Sequence, residues 1–420
     1  MSVSLFRNAR IWTPLHTGRA LRGQQQGSAE LWENGALLCR DGRIALVGDE
    51  AAVLKSLAAQ GAPAVQAEMD CGGRCMIPGF VDPHTHLCFV KPREREFLAR
   101  LGGEDYLATL RAGGGILSSV ESVRAATEEQ LFAATLSRAR SALRLGTTSI
   151  EVKSGYGLSP EAELKQLRAI RRAAGEAPPR IVATFLGAHA VPAEYRGREE
   201  GYVDLVVHEM IPAVARQGLA RFCDVFCEQG VFELSQSRRI LQGARAAGLG
   251  CKLHADELHD TGGAALAAEV GAASADHLLA SSDAGLRAMA SAGVVAVLLP
   301  ATAYSMRKPY ARARAMIGMG LPVAIASDCN PGSSYTESMP FVFGLAVLQM
   351  GLSVTEALTA ATLNAAYALG LGDEVGSLSA GKRADFLILD GETPGILAFR
   401  PGIAPIDEVF VEGTRAWLKN

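Results

Sequence analysis

The sequence predicts an α/β protein, in which a (β/α)₈ TIM-like barrel is joined to a small β-sandwich domain formed by the N- and C-terminal segments. Three observations support this prediction. The chain has 420 residues, more than the roughly 250 to 300 at which a single core usually stops growing. Short β-branched runs alternate with helical segments through its middle, and both of its ends carry strand patterns.

Strand and turn signals dominate the two ends of the chain. Residues 36–48 read ALLCRDGRIALVG, two apolar runs around an Asp-Gly pair that is typical of a hairpin turn. Residues 407–417 read DEVFVEGTRAW, again two strand-like runs, here around a Glu-Gly turn. We therefore expect both ends to pair into one small β domain, with the chain divided into 1–75, 76–370 and 371–420.

The middle of the chain contains eight short runs rich in β-branched residues, separated by segments of helical periodicity. In chain order they read MIPGFV, GTTSIEV, RIVATFL, FCDVFC, LGCKL, GAASAD, GVVAVLL and LPVAIAS. Eight strands with intervening helices are the number that a closed barrel needs. An open, doubly wound sheet is the alternative, but no G-x-G-x-x-G pattern follows the first run.

Charge and composition exclude several classes of protein. The 41 basic and 44 acidic residues give a net charge of -3, which provides no basic footprint for nucleic acid or for an anionic membrane. The longest apolar stretch falls short of the ~20 residues that a membrane-spanning helix needs, and no signal-like segment is evident, so a cytoplasmic protein is expected. The eight cysteines are expected to be free thiols.

Histidines are concentrated at the ends of the predicted strands. Five of the eight lie there, namely His84, His86, His189, His254 and His277. In an extended chain His84 and His86 point to the same side. Because the active sites of such barrels lie at the C-terminal ends of the strands, we expect these side chains to converge with Asp328, which follows the eighth run. Imidazoles with one carboxylate suit a divalent ion such as zinc or ferrous iron.

The motifs at these strand ends resemble those of a known family. In chain order they read VDPHTH, EVKSGYGL, LGAHA, HADEL, ADHLL, LLPATAYSM and SDCNPGSS. Over about residues 75 to 340, the set resembles the amidohydrolase superfamily and, within it, the imidazolonepropionase family of histidine degradation. The H-x-H pattern by itself marks only the superfamily, whereas KSGYG together with DCNPGSS is far more specific.

The resemblance implies a single divalent metal ion, zinc or iron. Its ligands would be His84, His86, His254 and Asp328. Some amidohydrolases use a carboxylated lysine to bridge two metals, but that lysine does not occupy the sequence context of Lys153. Lys153 is therefore interpreted either as structural or as a residue that supports the metal ligands without binding the metal. The family also implies a small-molecule substrate and a homodimer.

The resemblance further implies hydrolysis of the cyclic amide of 4-imidazolone-5-propanoate to N-formimidoyl-L-glutamate. Asp328 and His277 would hold the attacking water, and Glu257 would carry a proton to the departing ring nitrogen. The planar fork of the Arg93 side chain suits the anionic tail of this substrate. The positions implied for substrate binding are Arg93, Tyr156, His189, Glu257, Asn330, Gly332 and Ser333.

Two alternatives remain open on the sequence. A mononuclear-metal deaminase of a heterocyclic base would share the H-x-H pattern, the later histidines and the aspartate, and would release ammonia. A non-catalytic barrel is the other alternative, although such a protein is expected to have lost metal ligands. The glycine-rich RAGGGI at 111–116 is interpreted as a loop over the site.

Overall fold

The structure of the protein, a computed structural model, describes residues 2–59, 65–103 and 114–419. Within these residues the strands form two sheets, one of eight parallel strands and one of eight mainly antiparallel strands. The strands are β1 Val3–Pro14, β2 Ala29–Arg40, β3 Arg43–Asp49, β4 Ala67–Asp70, β5 Cys75–Pro78, β6 Phe80–Asp82, β7 Thr147–Lys153, β8 Arg180–Ala188, β9 Phe222–Cys227, β10 Gly250–Ala255, β11 Ser274–His277, β12 Val295–Leu298, β13 Val323–Ile325, β14 Phe386–Leu389, β15 Ile406–Val411 and β16 Thr414–Leu418.

Most helices of the described residues connect the strands of the parallel sheet and cover its outside, whereas the first and the last lie between strands of the second sheet. They are α1 Glu50–Ala59, α2 Glu94–Leu101, α3 Ile116–Ala125, α4 Glu128–Arg144, α5 Pro160–Glu176, α6 Glu199–Leu205, α7 Ile211–Gln217, α8 Leu234–Ala246, α9 Gly263–Glu269, α10 Asp283–Ala292, α11 Pro300–Met306, α12 Ala313–Gly318, α13 Met339–Leu348, α14 Val354–Ala361, α15 Leu363–Ala368 and α16 Ile396–Phe399. A π-helical turn, Val206–Met210, joins α6 to α7, and short 3₁₀ turns lie at Gly23–Gly27 and Ala193–Tyr195.

The parallel sheet contains β6 to β13 in chain order. Its first and last strands meet just beyond their ends, where the Asp328 backbone N–H donates to His84 O (3.0 Å) and the His86 N–H donates to Cys329 O (2.8 Å). These bonds join the two edges, so the sheet is a closed barrel. Each of the eight runs singled out in the sequence contributes one strand to the barrel, and the predicted (β/α)₈ barrel is confirmed.

Helix α4 illustrates how the segments between the strands form and pack. It begins at a capping box, in which the Thr127 hydroxyl accepts from Gln130 N and the Gln130 side chain accepts from Thr127 N. Its buried residues recur at helical spacing, namely Leu131, Phe132, Thr135, Leu136, Ala139, Ala142 and Leu143. This apolar stripe faces the barrel, while the opposite side of the helix is polar.

The second sheet joins both ends of the chain, in the order β16-β15-β14-β5-β1-β2-β3, with β4 paired to β1. The turn between β2 and β3 has φ of 50° at Asp41 and 79° at Gly42, and the turn between β15 and β16 has φ of 50° at Glu412 and 72° at Gly413. Positive φ at both central residues is typical of a type I′ hairpin turn. Both predicted hairpins are therefore confirmed.

The second sheet folds over on itself around an aromatic core. The ring centre of Phe6 on β1 lies 4.8 Å from that of Phe386 on β14 and 5.0 Å from that of Phe410 on β15. Across the fold, Ile44 N donates to Lys382 O (2.8 Å). The two ends of the chain thus form one compact β unit with facing layers, as expected for the small domain.

The first run, MIPGFV, is two strands rather than one. Strand β5 belongs to the small sheet and β6 to the barrel, and Gly79 separates them. A Cβ atom at Gly79 would collide with the Thr148 side chain, so glycine is required where the chain passes from one sheet to the other. The division at 1–75, 76–370 and 371–420 stays a prediction, and its first boundary falls inside β5.

Two further predictions concern the state of the cysteines and the presence of membrane-spanning helices. All eight cysteines are buried free thiols, as predicted. Even Cys223 and Cys251, which are register partners in β9 and β10, are not bonded to each other. In the part of the chain that the structure describes, no helix has both the length and the apolar character to cross a membrane.

Candidate active site

One large cavity opens at the C-terminal end of the barrel, with a volume of about 1070 Å³. The five histidines singled out in the sequence gather there: two follow β6, one follows β8, one lies in β10 and one ends β11. Among the cavity-lining residues are His86, His189, His254, His277 and Asp328. The barrel topology therefore brings together side chains that are separated by up to two hundred and forty-four positions in the chain.

Four side-chain atoms converge beneath this cavity. His86 Nε2 lies 3.3 Å from His84 Nε2 and 3.4 Å from His254 Nε2. Asp328 Oδ1 lies 3.6 Å from both His84 Nε2 and His86 Nε2. Ligand atoms about 2.1 Å from a tetrahedral zinc ion are about 3.4 Å apart, so the distances in these four pairs are those of donors around one ion.

The tautomers of two histidines also fit a cation. His84 Nδ1 lies 2.6 Å from Asp276 Oδ2, and His254 Nδ1 lies 3.1 Å from Asp224 Oδ1. A carboxylate only accepts, so each Nδ1 carries the proton and each Nε2 directs a lone pair toward the common centre. Lone pairs in such proximity repel unless a positive charge lies among them. These residues therefore fit a divalent metal ion.

The protonation of the histidines agrees with a role as ligands. Burial lowers the pKa of His84 and of His86 well below its usual value, so both imidazoles are neutral. Burial has the same effect on His254, but the Asp224 carboxylate outweighs it and raises the pKa of that histidine. The Asp224 carboxylate thus makes the His254 imidazole more basic, as carboxylate partners of metal-binding histidines do.

Asp224 and Asp276, the carboxylates that orient the ligands, are not among the residues predicted from the sequence. Both are fully buried and lie inside strands β9 and β11, not at the strand ends where functional residues were sought. The signal that could have found them is a charged residue within an otherwise apolar strand, since buried aspartates are rare unless paired. Asp224 lies within the run FCDVFC, and Asp276 is the last residue of the run GAASAD.

Glu257, His277 and Asp328 lie together on one side of the cavity. Glu257 Oε2 is 3.7 Å from His277 Nε2. Burial, with a smaller contribution from the Asp328 charge, raises the pKa of Glu257 to about 7. The carboxyl group can therefore both accept and return a proton near neutral pH.

The backbone around these residues is strained. His277 has φ of 76° and Asp328 has φ of 50°, left-handed values that are uncommon for residues other than glycine. Such strain costs about 1–3 kcal/mol for each residue and clusters at functional sites. In addition, Thr302 Oγ1 donates to Asp328 Oδ2 (2.6 Å), which leaves Oδ1 directed toward the histidines.

Arg93 lies on the opposite wall of the cavity, with its side chain only 8% exposed. Its Nη1 donates to Ser119 Oγ (2.7 Å), and its Nε is 3.0 Å from Glu96 Oε2. Gly332 packs against the guanidinium group so closely that a Cβ atom there would collide with it. A side chain at position 332 would therefore displace Arg93.

The loop after β13 is shaped by hydrogen bonds of its own. Asn330 Oδ1 accepts from Gly332 N and from Ser333 N, both at 2.8 Å. Asn330 Nδ2 donates to Asp328 O (2.7 Å) and to Ser333 Oγ (2.8 Å). Asn330 and Ser333 line the cavity, but in this structure the Asn330 amide is occupied in holding the loop.

His189 and Tyr156 form an aromatic wall next to the histidine cluster. The His189 ring is stacked on that of His86, with ring centres 5.0 Å apart, and lies 5.2 Å from the ring of Tyr156. His189 Nδ1 is 2.9 Å from Gly155 O, a carbonyl that can only accept, so Nδ1 carries the proton. Burial, followed by the charge of His254, lowers the pKa of His189 to about 3, which leaves the ring neutral. Its Nε2 is therefore an acceptor.

The glycine-rich segment RAGGGI lies partly outside the described residues, which resume at 114. Its described part leads into α3, and Gly115 precedes the first residue of that helix with φ of 66°. Ile116 and Leu117 of α3 line the cavity. The expected loop over the site thus stays a prediction, although the helix that follows it borders the cavity.

The chain is similar to known proteins over nearly its whole length. A family model described as "Amidohydrolase family" matches residues 75–416. An imidazolonepropionase of Syntrophobacter fumaroxidans is 59% identical over 419 residues, covering 99% of this chain and 98% of that protein. An imidazolonepropionase of Desulfotalea psychrophila is 58% identical over 415 residues, covering 99% of this chain and 100% of that protein.

Solved structures share the fold at much lower sequence identity. Guanine deaminase of E. coli superimposes with a TM-score of 0.71 at 16% identity, over 100% of both chains. The 5-methylcytosine deaminase of Klebsiella pneumoniae gives a TM-score of 0.71 at 18% identity, over 99% of this chain and 98% of that chain. At this level of identity the likeness shows a common fold alone.

Proposed function

The chain belongs to the amidohydrolase family and, within it, to the imidazolonepropionases, and from this premise we propose that it hydrolyses 4-imidazolone-5-propanoate to N-formimidoyl-L-glutamate in histidine degradation. One observation carries the proposal: a metal-ligand cluster and a buried arginine face each other across one cavity. The first suits hydrolysis, and the second suits an anionic substrate tail. A neutral heterocyclic base carries no anionic group for the guanidinium group to bind, which disfavours the deaminase alternative.

Amidohydrolases are metal-dependent, and we propose that this chain holds one divalent ion, zinc or iron. Its ligands would be His84, His86, His254 and Asp328, whose donor atoms lie 3.3 to 3.6 Å apart in the pairs given above. When bound, such an ion supplies a water of lowered pKa and polarises the carbonyl that is attacked.

Glu257 is the residue that we expect to transfer the proton, with His277 and Asp328 next to it. Hydrolysis requires that the attacking water lose a proton and that the departing ring nitrogen gain one. Glu257, with a pKa of about 7, can accept the first proton and donate it to the nitrogen as the C–N bond breaks. His277 Nε2 lies 3.7 Å from Glu257 Oε2, and His277 and Asp328 would hold the attacking water.

The substrate is held by its two ends. Arg93 binds the propanoate carboxylate through its planar donor fork, and the loop shaped by Asn330, Gly332 and Ser333 keeps the arginine in place. Tyr156 and His189 flank the ring. Because His189 Nε2 is an acceptor, it binds an N–H of the imidazolone and not its carbonyl oxygen.

Replacing Arg93 by alanine should raise KM and leave kcat nearly unchanged. Hydrogen bonds to a charged group are worth about 1.5–3 kcal/mol, which corresponds to about a 10- to 100-fold rise. Arg196, which lines the same cavity but is exposed, provides the matched control, and Arg196→Ala should change KM little. Steady-state kinetics test this, and an unchanged KM in Arg93→Ala would remove Arg93 from the substrate site.

Replacing His189 by alanine should lower kcat/KM by up to about 10-fold, the value of one neutral hydrogen bond. His189→Gln should lose less, because its amide oxygen can still accept from the ring N–H. The comparison of the two variants, at equal metal content, separates loss of the acceptor from loss of packing on His86. Equal losses in both variants would contradict the assigned acceptor role.

The proposed activity is tested with freshly made substrate. Urocanase converts urocanate to 4-imidazolone-5-propanoate, and metal-loaded protein is then added while substrate loss, formimidoylglutamate and ammonia are measured in parallel. We expect formimidoylglutamate without ammonia, abolished by chelation and restored by metal. Loss of substrate no faster than without protein would contradict the substrate, and ammonia release from heterocyclic amines would favour the deaminase.

We also propose that the protein acts in the cytoplasm as a homodimer. Exposed apolar side chains at Leu348, Phe399 and Ile403 support an association surface, since Phe399 is 81% exposed and apolar patches of this kind mark contact sites. Light scattering should give the mass of two chains, and a single-chain mass at micromolar concentration would contradict the dimer. Cell fractionation tests the location.

A further inference from the structure

A cluster of five charged side chains lies behind the proposed metal ligands, inside the barrel. All five are fully buried, and none is among the residues that line the cavity. They are Glu151 and Lys153 of β7, Asp224 of β9, Lys252 of β10 and Asp276 of β11. Burying five charges costs free energy unless each charge has a partner. The way in which these five side chains are paired therefore indicates what the cluster does.

Lys153 is at the centre of the cluster. Its Nζ donates to Asp224 Oδ2 (2.7 Å), lies 2.8 Å from Glu151 Oε2 and is 3.8 Å from Asp276 Oδ2. Asp224 and Asp276 are the carboxylates that hold Nδ1 of His254 and His84. One ammonium group therefore touches or adjoins both carboxylates that orient two of the four ligands.

Lys252 is connected differently. Its Nζ donates to Pro83 O (2.7 Å), the carbonyl that immediately precedes His84, and lies 2.9 Å from Glu151 Oε1. It is 3.9 Å from Asp276 Oδ2. Only Lys153 has an ion pair with Asp224 among the lysines of the described residues. The two lysines are therefore not equivalent, and Lys153 alone links the two orienting aspartates.

Lys153 also provides a positive charge that balances the negative charges of the cluster. Three carboxylates and two ammonium groups leave one negative charge, and the Asp328 carboxylate adds a second, which a divalent ion would neutralise. Asp224 and Asp276 lie on the two strands that flank β10, and without Lys153 they would have no common counter-charge. Neither carboxylate would then be fixed in the position from which it accepts from its histidine.

Lys153 is not suited to be a carboxylated, metal-bridging lysine. Forming a carbamate requires a neutral amine that attacks carbon dioxide. Burial alone would lower the pKa of Lys153, but Asp224, Glu151 and Asp276 outweigh it and raise that pKa, so the amine stays an ammonium group. Its three carboxylate neighbours also occupy the directions from which the amine could react.

We propose that Lys153 is a positioning residue for the metal site, which fixes Asp224 and Asp276 together and, through them, the Nε2 atoms of His254 and His84. This inference rests on the metal site of the proposed function and not on its substrate. Partners that orient metal ligands in this way typically contribute about 10- to 100-fold to metal affinity.

The test measures metal binding without substrate. Metal-free protein is titrated with Zn²⁺ against a chromophoric chelator, and Co²⁺-loaded protein is examined by visible absorption. Lys153→Met should bind Zn²⁺ about 10- to 100-fold more weakly and should give an altered Co²⁺ spectrum. Lys382→Met provides the matched control, because Lys382 is also a buried lysine but donates to Gly372 O and Val375 O, outside the cluster. Its zinc affinity should equal that of the unmodified protein.

A second variant separates position from charge and is less prone to unfold. Lys153→Met combined with Glu151→Gln removes one positive and one negative charge, so the net charge of the cluster is unchanged. Because Asp224 and Asp276 still lose their common ammonium group, zinc affinity should stay low. Zinc affinity and a Co²⁺ spectrum equal to those of the unmodified protein, in either folded variant, would overturn the proposal. Because no substrate is used, a wrong substrate assignment would leave these results unaffected.

Discussion

Replacing Asp328 or His84 by alanine should abolish metal retention and turnover together. His84 Nε2 and Asp328 Oδ1 are two of the four atoms that converge at 3.3 to 3.6 Å in the pairs described above. Loss of a partner that only orients a ligand lowers metal affinity about 10- to 100-fold, and loss of a ligand should exceed that. We therefore expect less than a tenth of the metal content of the unmodified protein after dialysis, and no measurable turnover.

The measurement is metal analysis of dialysed protein alongside the rate of product formation. His208→Ala is the matched control, since His208 is exposed in the π-helical turn and belongs to none of the possible metal-binding groups among the described residues. It should retain both metal and activity. If Asp328→Ala or His84→Ala kept full activity after exhaustive chelation, the metal-dependent mechanism would be wrong.

Replacing Glu257 by glutamine should reduce kcat by about 10²- to 10⁴-fold, the usual contribution of a positioned acid or base. The metal content should not change, because Glu257 contributes none of the four converging atoms. KM should change little, since Arg93 still binds the tail of the substrate. Glu199→Gln is the control, because Glu199 lines the same cavity but at its half-exposed margin.

The pH profile of the same variant gives a second test. Glu257 must be ionised to accept a proton from water, and its pKa is raised to about 7. The value of kcat/KM should therefore rise as the pH passes through about 7 and level off above it. In Glu257→Gln this limb should disappear from the residual activity. A limb that persists with an unchanged midpoint would assign the titration to another group.

The barrel could be predicted because each strand leaves a local signal. Eight β-branched runs alternate with helical segments, and Asp41-Gly42 and Glu412-Gly413 mark hairpins through their own backbone preferences. The division of MIPGFV into β5 and β6 could not be predicted in this way. It depends on the close approach of Thr148 to Gly79, two residues far apart in the chain.

The proposed ligands were accessible to sequence reasoning for a different reason. They lie at strand ends, where barrel topology concentrates function, so His84, His254 and Asp328 could be selected before any contact was known. Asp224 and Asp276 lie within strands and gain their role only from the register of β9, β10 and β11. The occupation of the Asn330 amide by its own loop likewise depends on a turn geometry that no spacing reveals.

The proposed hydrolysis of the imidazolone ring requires one divalent metal ion per chain. Metal-free protein is titrated with Zn²⁺ or, without oxygen, with Fe²⁺, while formation of formimidoylglutamate from fresh 4-imidazolone-5-propanoate is followed at each step. We predict a rate that rises in proportion to added metal and stops rising at one equivalent per chain, with no ammonia formed. An equal rate in metal-free protein, or a rise that continues to two equivalents, would contradict this account.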